Sequence, residues 1–385
     1  MFFLAGCWDR TEVNDIALIM ATGIDKSEDD KSEGEKIELS VQVFIPKPSE
    51  SGQQGGMTSG GSSSQTFVRS AEGMTLADAM ARLQEKLTRK IFWGQNDVLV
   101  IGEELSKKGI SNHIDFWMRH SGPRIRADVF IAKGTAKEVL QSTPELESDS
   151  AKQLLALVKT NIGVKVTMKD LSQMLSGESG AAVLPWVEKM PSENLDVQNE
   201  QGIPFIKGAA VFKGDKMVGK LDDSVTRGVL WPRNEIESGV ITTSLENEEG
   251  YVSLNLLRSQ NQLIPHISDG KWSITVKSTA DLEIIQNTTN LNSLNPNFSK
   301  EVKQKVVHEI EEKEKLALSE AQKNLNADIF GFAEAFQREY PEIWKREKSD
   351  WNEIFQSVDV SFDTTVNIKR TGLVSEEASK RGDEK

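Results

Sequence analysis

The feature that most constrains the fold of this chain is a strict alternation near its C-terminus. Val358, Val360, Phe362, Thr364, Val366 and Ile368 fall on one parity, and Asp359, Ser361, Asp363, Thr365, Asn367 and Lys369 on the other. A period of two places successive side chains on opposite faces of a pleated backbone, so the segment is a strand with one face in a core and one in water. Such a strand needs sheet partners and a covering layer. A second alternation, Ile37, Leu39, Val41, Val43 and Ile45 against Glu38, Ser40, Gln42 and Phe44, reads as another half-buried strand, ended by Pro46 and Pro48. Residues 16–24 read as the strand before it, joined to it by the polar run 25–36.

Helical spacing appears between the strands. Leu76, Met80, Leu83 and Leu87 lie on one helix face, as do Ile110, Ile114, Trp117 and Met118. Residues 97–102 (Asp-Val-Leu-Val-Ile-Gly) form a continuous apolar run suited to a strand buried on both faces. Residues 129–132 predict a further strand, and Gly134-Thr135 opens a helix ending near Leu140. Residues 154–158 and 168–175 look helical. Residues 205–213 and 217–221 flank Gly214-Asp215, a hairpin signal. Strands are expected at 240–244, 251–257, 272–277 and 282–285, and Ser299 is placed as the cap of a long helix with Val302, Val306, Ile310, Leu318, Ala321 and Leu325 along its stripe. The expected fold class is α+β: multidomain, with mixed β-sheets flanked by helices.

The chain has 385 residues, more than one ordinary core holds. Pro185, Pro191 and the polar run 192–202 suggest a boundary between an N-terminal α/β domain, 7–192, and a C-terminal α/β region, 203–373. The Asn-rich stretch 287–298 suggests a split of the latter into two subdomains. Gly, Ser and Gln dominate a flexible loop at 49–65, and a charged tail, 374–385, is expected to be disordered. No stretch approaches the roughly 20 apolar residues of a membrane-spanning helix. A net charge of −13 argues against nucleic acid as a partner.

Catalytic signals are weak, and no catalytic, cofactor-binding or metal site is assigned. His113 and His120 fall seven apart on one expected helix face around Trp117, too far apart for the usual helical metal pair, and read as surface histidines. Gly177-Glu178-Ser179-Gly180 approaches a nucleophile elbow, but Ala181 occupies the place of the second glycine, so it reads as a polar loop. Glu103-Glu104 reads as an acidic helix start complementing the dipole. Trp231-Pro232, Trp344 and Trp351 read first as core aromatics.

The single cysteine, Cys7, excludes an internal disulfide and a multi-cysteine zinc site. It closes Leu4-Ala5-Gly6-Cys7, a bacterial lipobox in outline: small residues suit a signal peptidase and the sulfur receives the diacylglycerol. Residues 1–6 read as a truncated signal remnant, short of a basic and an apolar region.

Taken together the chain resembles the Ger(x)C family of spore germination lipoproteins, the C subunits of nutrient germinant receptors. Gly6-Cys7-Trp8-Asp9-Arg10 with Glu12-Val13-Asn14-Asp15 is similar to its mature start. The Val98–Ile101 strand with Gly102-Glu103-Glu104-Leu105, Asp115-Phe116-Trp117-Met118-Arg119 and Ala132-Lys133-Gly134 resemble its first half. Gly208-Ala209-Ala210-Val211-Phe212-Lys213, Gly228-Val229-Leu230-Trp231, Phe330-Gly331-Phe332, Tyr340-Pro341 and Ile368-Lys369-Arg370-Thr371-Gly372-Leu373 resemble its second. The resemblance implies a non-enzymatic protein without cofactor, required for nutrient-triggered germination and lipid-anchored through Cys7 on the outer face of the spore inner membrane. It implies assembly with integral membrane A-type and B-type receptor subunits. Two readings stand beside it: a solute-binding lipoprotein that captures the germinant, and an extracytoplasmic hydrolase.

Overall fold

The structure, a computed structural model, describes residues 15–27, 36–45, 66–120, 122–190, 202–246, 248–292 and 295–370. Cys7, the remnant 1–6, the loop 49–65 and the tail 374–385 lie outside the described residues, as does most of 192–202.

The first half interleaves strands β1 (Ile16–Lys26), β2 (Ile37–Phe44), β3 (Thr66–Gly73), β4 (Lys90–Phe92), β5 (Val98–Gly102), β6 (Asp128–Ala132) and β7 (Ala181–Met190) with helices α1 (Leu76–Glu85), α2 (Glu103–Lys108), α3 (Ser111–Arg119), α4 (Ala136–Gln141), α5 (Ser150–Lys159) and α6 (Met168–Ser176). A hairpin follows, β8 (Ile203–Lys213) and β9 (Lys216–Leu221), then α7 (Asp223–Leu230). These strands form one sheet in the order β3-β2-β1-β5-β6-β7-β8-β9, with β4 beside the start of β1. The inner pairs β1/β5, β5/β6 and β6/β7 are parallel, and the outer ones antiparallel. Pairing of β7 with β8 carries this sheet across the segment between residues 190 and 203.

The continuous apolar run of β5 is explained by cover on both faces. Val98 and Val100 pack with Phe130, Ala132 and helices α4 and α5; Leu99 and Ile101 pack on the opposite side with Val129, Ile131 and α1, α2, α3 and α6. The same double cover corrects the reading of β2 as half-buried. Its polar residues Ser40 and Gln42 are buried, and Gln42 is satisfied by donating to Ser150 Oγ (3.0 Å) and accepting from Ala151 N (3.2 Å). Pro185 lies inside β7 beside a register shift between Pro185 and Val187, where a missing N–H is tolerated.

The second sheet has the order β10-β11-β12-β13, with β10 (Val240–Thr243), β11 (Val252–Ser268), β12 (Lys271–Asn287) and β13 (Asp359–Arg370). The two short strands expected at 272–277 and 282–285 are one strand, and 251–257 is the start of a 17-residue one. Beyond Leu257 alternate residues of β11 face solvent, so polar Arg258, Gln260 and Gln262 continue the ladder without an apolar signature. Between β12 and its parallel partner β13 run α8 (Pro296–Ser319), α9 (Phe332–Glu339), α10 (Pro341–Glu347) and α11 (Trp351–Ser357). The cap of α8 is Asn295, not Ser299: its side chain accepts from Asn297 N (2.9 Å), and Pro296 fills the first helical position. Among the described residues no helix is long and apolar enough to cross a membrane.

Candidate functional site

The residues singled out by sequence are scattered, and the structure gives most of them structural partners. The C-terminal end of α3 is Arg119; His120 has left the helix, so His113 and His120 do not share a helix face. His120 Nδ1 accepts from Gly122 N (3.2 Å) and its ring lies 5.4 Å from that of Phe116. Burial lowers the pKa of half-buried His113. Among the described residues no group of three or more His, Cys, Asp and Glu is placed to hold a metal. Glu103 and Glu104 form the first turn of α2 and both pair with Lys107 (2.7 and 3.0 Å), one turn on.

The elbow-like loop before β7 is a clasp between the two halves of the chain. The Glu178 carboxylate accepts from Gln337 Nε2 (2.7 Å) and Trp344 Nε1 (2.8 Å), while Ser179 N donates to Glu334 Oε1 (3.1 Å). Trp344 and Trp351 are buried, with ring centroids 5.1 Å apart, inside a cluster with Trp272, Phe336 and Phe355. Trp231 is likewise core.

Beside this clasp a cleft of about 420 Å³ opens between α6 and the segment after α7, with Lys165, Asp170, Gln173, Arg233, Asn234 and Glu237 on its wall. The Arg233 guanidinium is already engaged. It grips both Glu235 oxygens (3.0 and 2.7 Å) and donates to the Ile329 carbonyl (2.8 Å). The wall of this cleft is thus largely polar and charged.

Among the described residues, three buried carboxyls whose pKa burial raises were missed by the sequence reading. Asp25 accepts from Ala136 N (2.7 Å) and Lys137 N (2.9 Å) at the start of α4, and burial still raises it to about 6. Asp328 is held at about 6 by burial, against N–H donation from Phe330, Gly331, Phe332 and Ala333. Burial raises Glu314 to about 8; among the described residues its one hydrogen-bond contact is from Ser278 Oγ at 3.4 Å. Its signal was positional, since 314 continues the i+4 series Val302, Val306, Ile310 along α8. By contrast, burial pushes Glu188 up, but Lys220, the Trp186 N–H and Lys133 outweigh it and hold it at about 2.

Comparison with known proteins assigns this architecture. Residues 9–189 match the spore germination protein N-terminal domain, and residues 207–372 match the spore germination B3/GerAC-like C-terminal domain. The chain belongs to the Ger(x)C family of spore germination proteins. This is the family of C-type germinant-receptor subunits. Its similar members include, from Bacillus subtilis (strain 168), spore germination protein YndF (26% identical; 97% of this chain, 95% of that protein), spore germination protein KC (26%; 96% and 93%) and spore germination protein B3 (23%; 97% and 97%). The crystal structure of the GerBC protein shares the fold, with a TM-score of 0.55 at 17% identity over 91% of this chain and 97% of that one. The mixed-sheet, multidomain α+β architecture is thus that of the Ger(x)C fold.

Proposed function

We propose that this Ger(x)C protein is the lipid-anchored subunit of a spore germinant receptor, acting in nutrient-triggered germination by assembling with integral membrane A-type and B-type subunits. The supporting observation is the ordered match of both family domains across nearly the whole chain. On this reading Cys7 carries the lipid, on the outer face of the spore inner membrane, and the two sequence divisions 7–192 and 203–373 follow the two family domains. An anchor suits a body in which, among the described residues, no helix is long and apolar enough to cross a membrane. Buried acyl methylenes contribute about 0.8 kcal/mol each, so two or more chains hold a protein stably. The protein acts by contact and not by catalysis, and the carboxyls described above serve as caps, clasps and buried packing groups.

Labelling tests the anchor. Expressed behind a complete signal peptide, the chain incorporates radiolabelled palmitate and the Cys7→Ser variant does not. Absence of label in the wild type, or label persisting in the variant, refutes the assignment of Cys7.

A further inference from the structure

Two sequence segments depart from the acidic balance of the chain. Residues 86–96 carry Lys86, Arg89 and Lys90, residues 116–127 carry Arg119, Arg124 and Arg126, and neither contains Asp or Glu. The fold brings them together. Arg124 Nη1 lies 2.6 Å from Asp97 Oδ1 and Nη2 lies 3.3 Å from Gln95 Oε1; Trp93 and Trp117 meet edge to face at 5.9 Å. Asp97 and Asp115 partner Arg124 and Arg119, whereas Arg89, Lys90 and Arg126 are exposed and form no ion pair among the described residues.

This pole is also where the chain enters the fold. Ile16, the first residue of β1, pairs with Lys90, and Leu18 pairs with Phe92. The end of β2 reaches the same pole, since Val43 pairs with Ile19. Three large apolar side chains protrude there: Ile45, Phe92 and Ile125, exposed by 45%, 42% and 47%. Cys7 precedes Asp15 by eight residues, a tether of at most about 29 Å. A lipid on Cys7 therefore holds this pole near the bilayer.

From these observations we infer that the pole formed by Arg89, Lys90, Phe92, Ile125, Arg126 and Ile45 docks on an anionic phospholipid surface; the inference rests on the membrane-anchored reading of the chain. Basic groups meet the negative headgroups, and the apolar side chains enter the interface between them. The remainder of a protein of charge −13 is repelled by the same surface, so the asymmetry fixes one orientation. The body then stands on its basic pole instead of swinging freely on its lipid.

Sedimentation of the full chain carrying Cys7→Ser with vesicles tests this without the anchor. At low ionic strength it binds phosphatidylglycerol vesicles, releases as salt rises, and does not bind phosphatidylcholine vesicles. The variant Arg89→Glu/Lys90→Glu/Arg126→Glu weakens binding at least tenfold, each lost charge contributing roughly fivefold. The control Lys271→Glu/Lys277→Glu/Lys300→Glu, with the same change of charge at exposed sites elsewhere, binds at least tenfold more tightly than the pole variant. Binding to neither vesicle, equal binding to both, or equal binding of the two variants overturns the inference. Unbound vesicles combined with a pole variant that no longer copurifies with membrane proteins overturn it in favour of a protein partner. Because Cys7 is absent from the assay, failure here is distinct from failure of palmitate labelling.

Discussion

Glu314 occupies an apolar-stripe position of α8, 1% exposed, with one carboxylate oxygen unpartnered and Ser278 Oγ at 3.4 Å from the other. Burial raises its pKa from 4.5 to about 8, so the fold favours the neutral acid. The sign follows from linkage. Its stabilising contribution is fully present below 4.5 and is lost as pH rises toward 8, because the unfolded chain ionises first. Glu314→Gln keeps the shape and cannot ionise. Denaturant unfolding is expected to show similar stability of variant and parent near pH 4, and an advantage for the variant at pH 8 on the order of 4 kcal/mol. A pH-independent difference refutes a buried neutral carboxyl. The sequence reading missed this residue, although it continues the series 302, 306, 310, because its depth depends on β12, whose run through Ser278 did not look like a strand. Asp328 was harder to read: its role as acceptor for four consecutive N–H groups depends on the left-handed Gly331 that turns the loop into α9. On the proposed reading Cys7 acts through the chemistry of its sulfur, so a local sequence pattern is the signal that marks it.

Elements were read well where one face is apolar and badly where the context lies in another part of the chain. The stripe Leu76, Met80 and Leu83 of α1, the buried run of β5 and the Gly214-Asp215 hairpin are local signals, and each element stands where they place it, although α1 ends at Glu85, before Leu87. The length of β11 and β12 is not local: their distal halves are held by each other, with a solvent-facing polar side. The contact between α7 and α8 was equally hidden. Gly228 lies so near α8 that a Cβ there would come within 2.0 Å of the Lys313 carbonyl oxygen and 3.0 Å of Ala317 Cβ. Gly228→Ala therefore separates the helices and is expected to lower the unfolding free energy by about 2 kcal/mol, measured by denaturant titration. An unchanged stability would mean the two helices do not pack this closely.

At the scale of the molecule, both sheets, the clasp at Glu178 and the basic pole draw on distant segments. The pole is composed of two acid-free stretches visible in the sequence, yet only the β1/β4 pairing and the Trp93–Trp117 contact make them one surface. The fold class was legible because alternating strands and helices admit few layered arrangements. Where the chain would touch the proposed receptor subunits was not, since contact surfaces carry no short motif. Family membership is established, and the proposed anchor at Cys7 and the inferred orientation of the acidic body extend it to a receptor subunit that works by assembly. The direct measurement is affinity purification of the tagged, full-length chain from detergent-solubilised spore membranes, with mass spectrometry of what accompanies it. The account predicts two integral membrane receptor subunits in amounts comparable to the chain, and their loss from the Cys7→Ser preparation. Recovery of the wild-type chain alone, or from the soluble fraction, would contradict it.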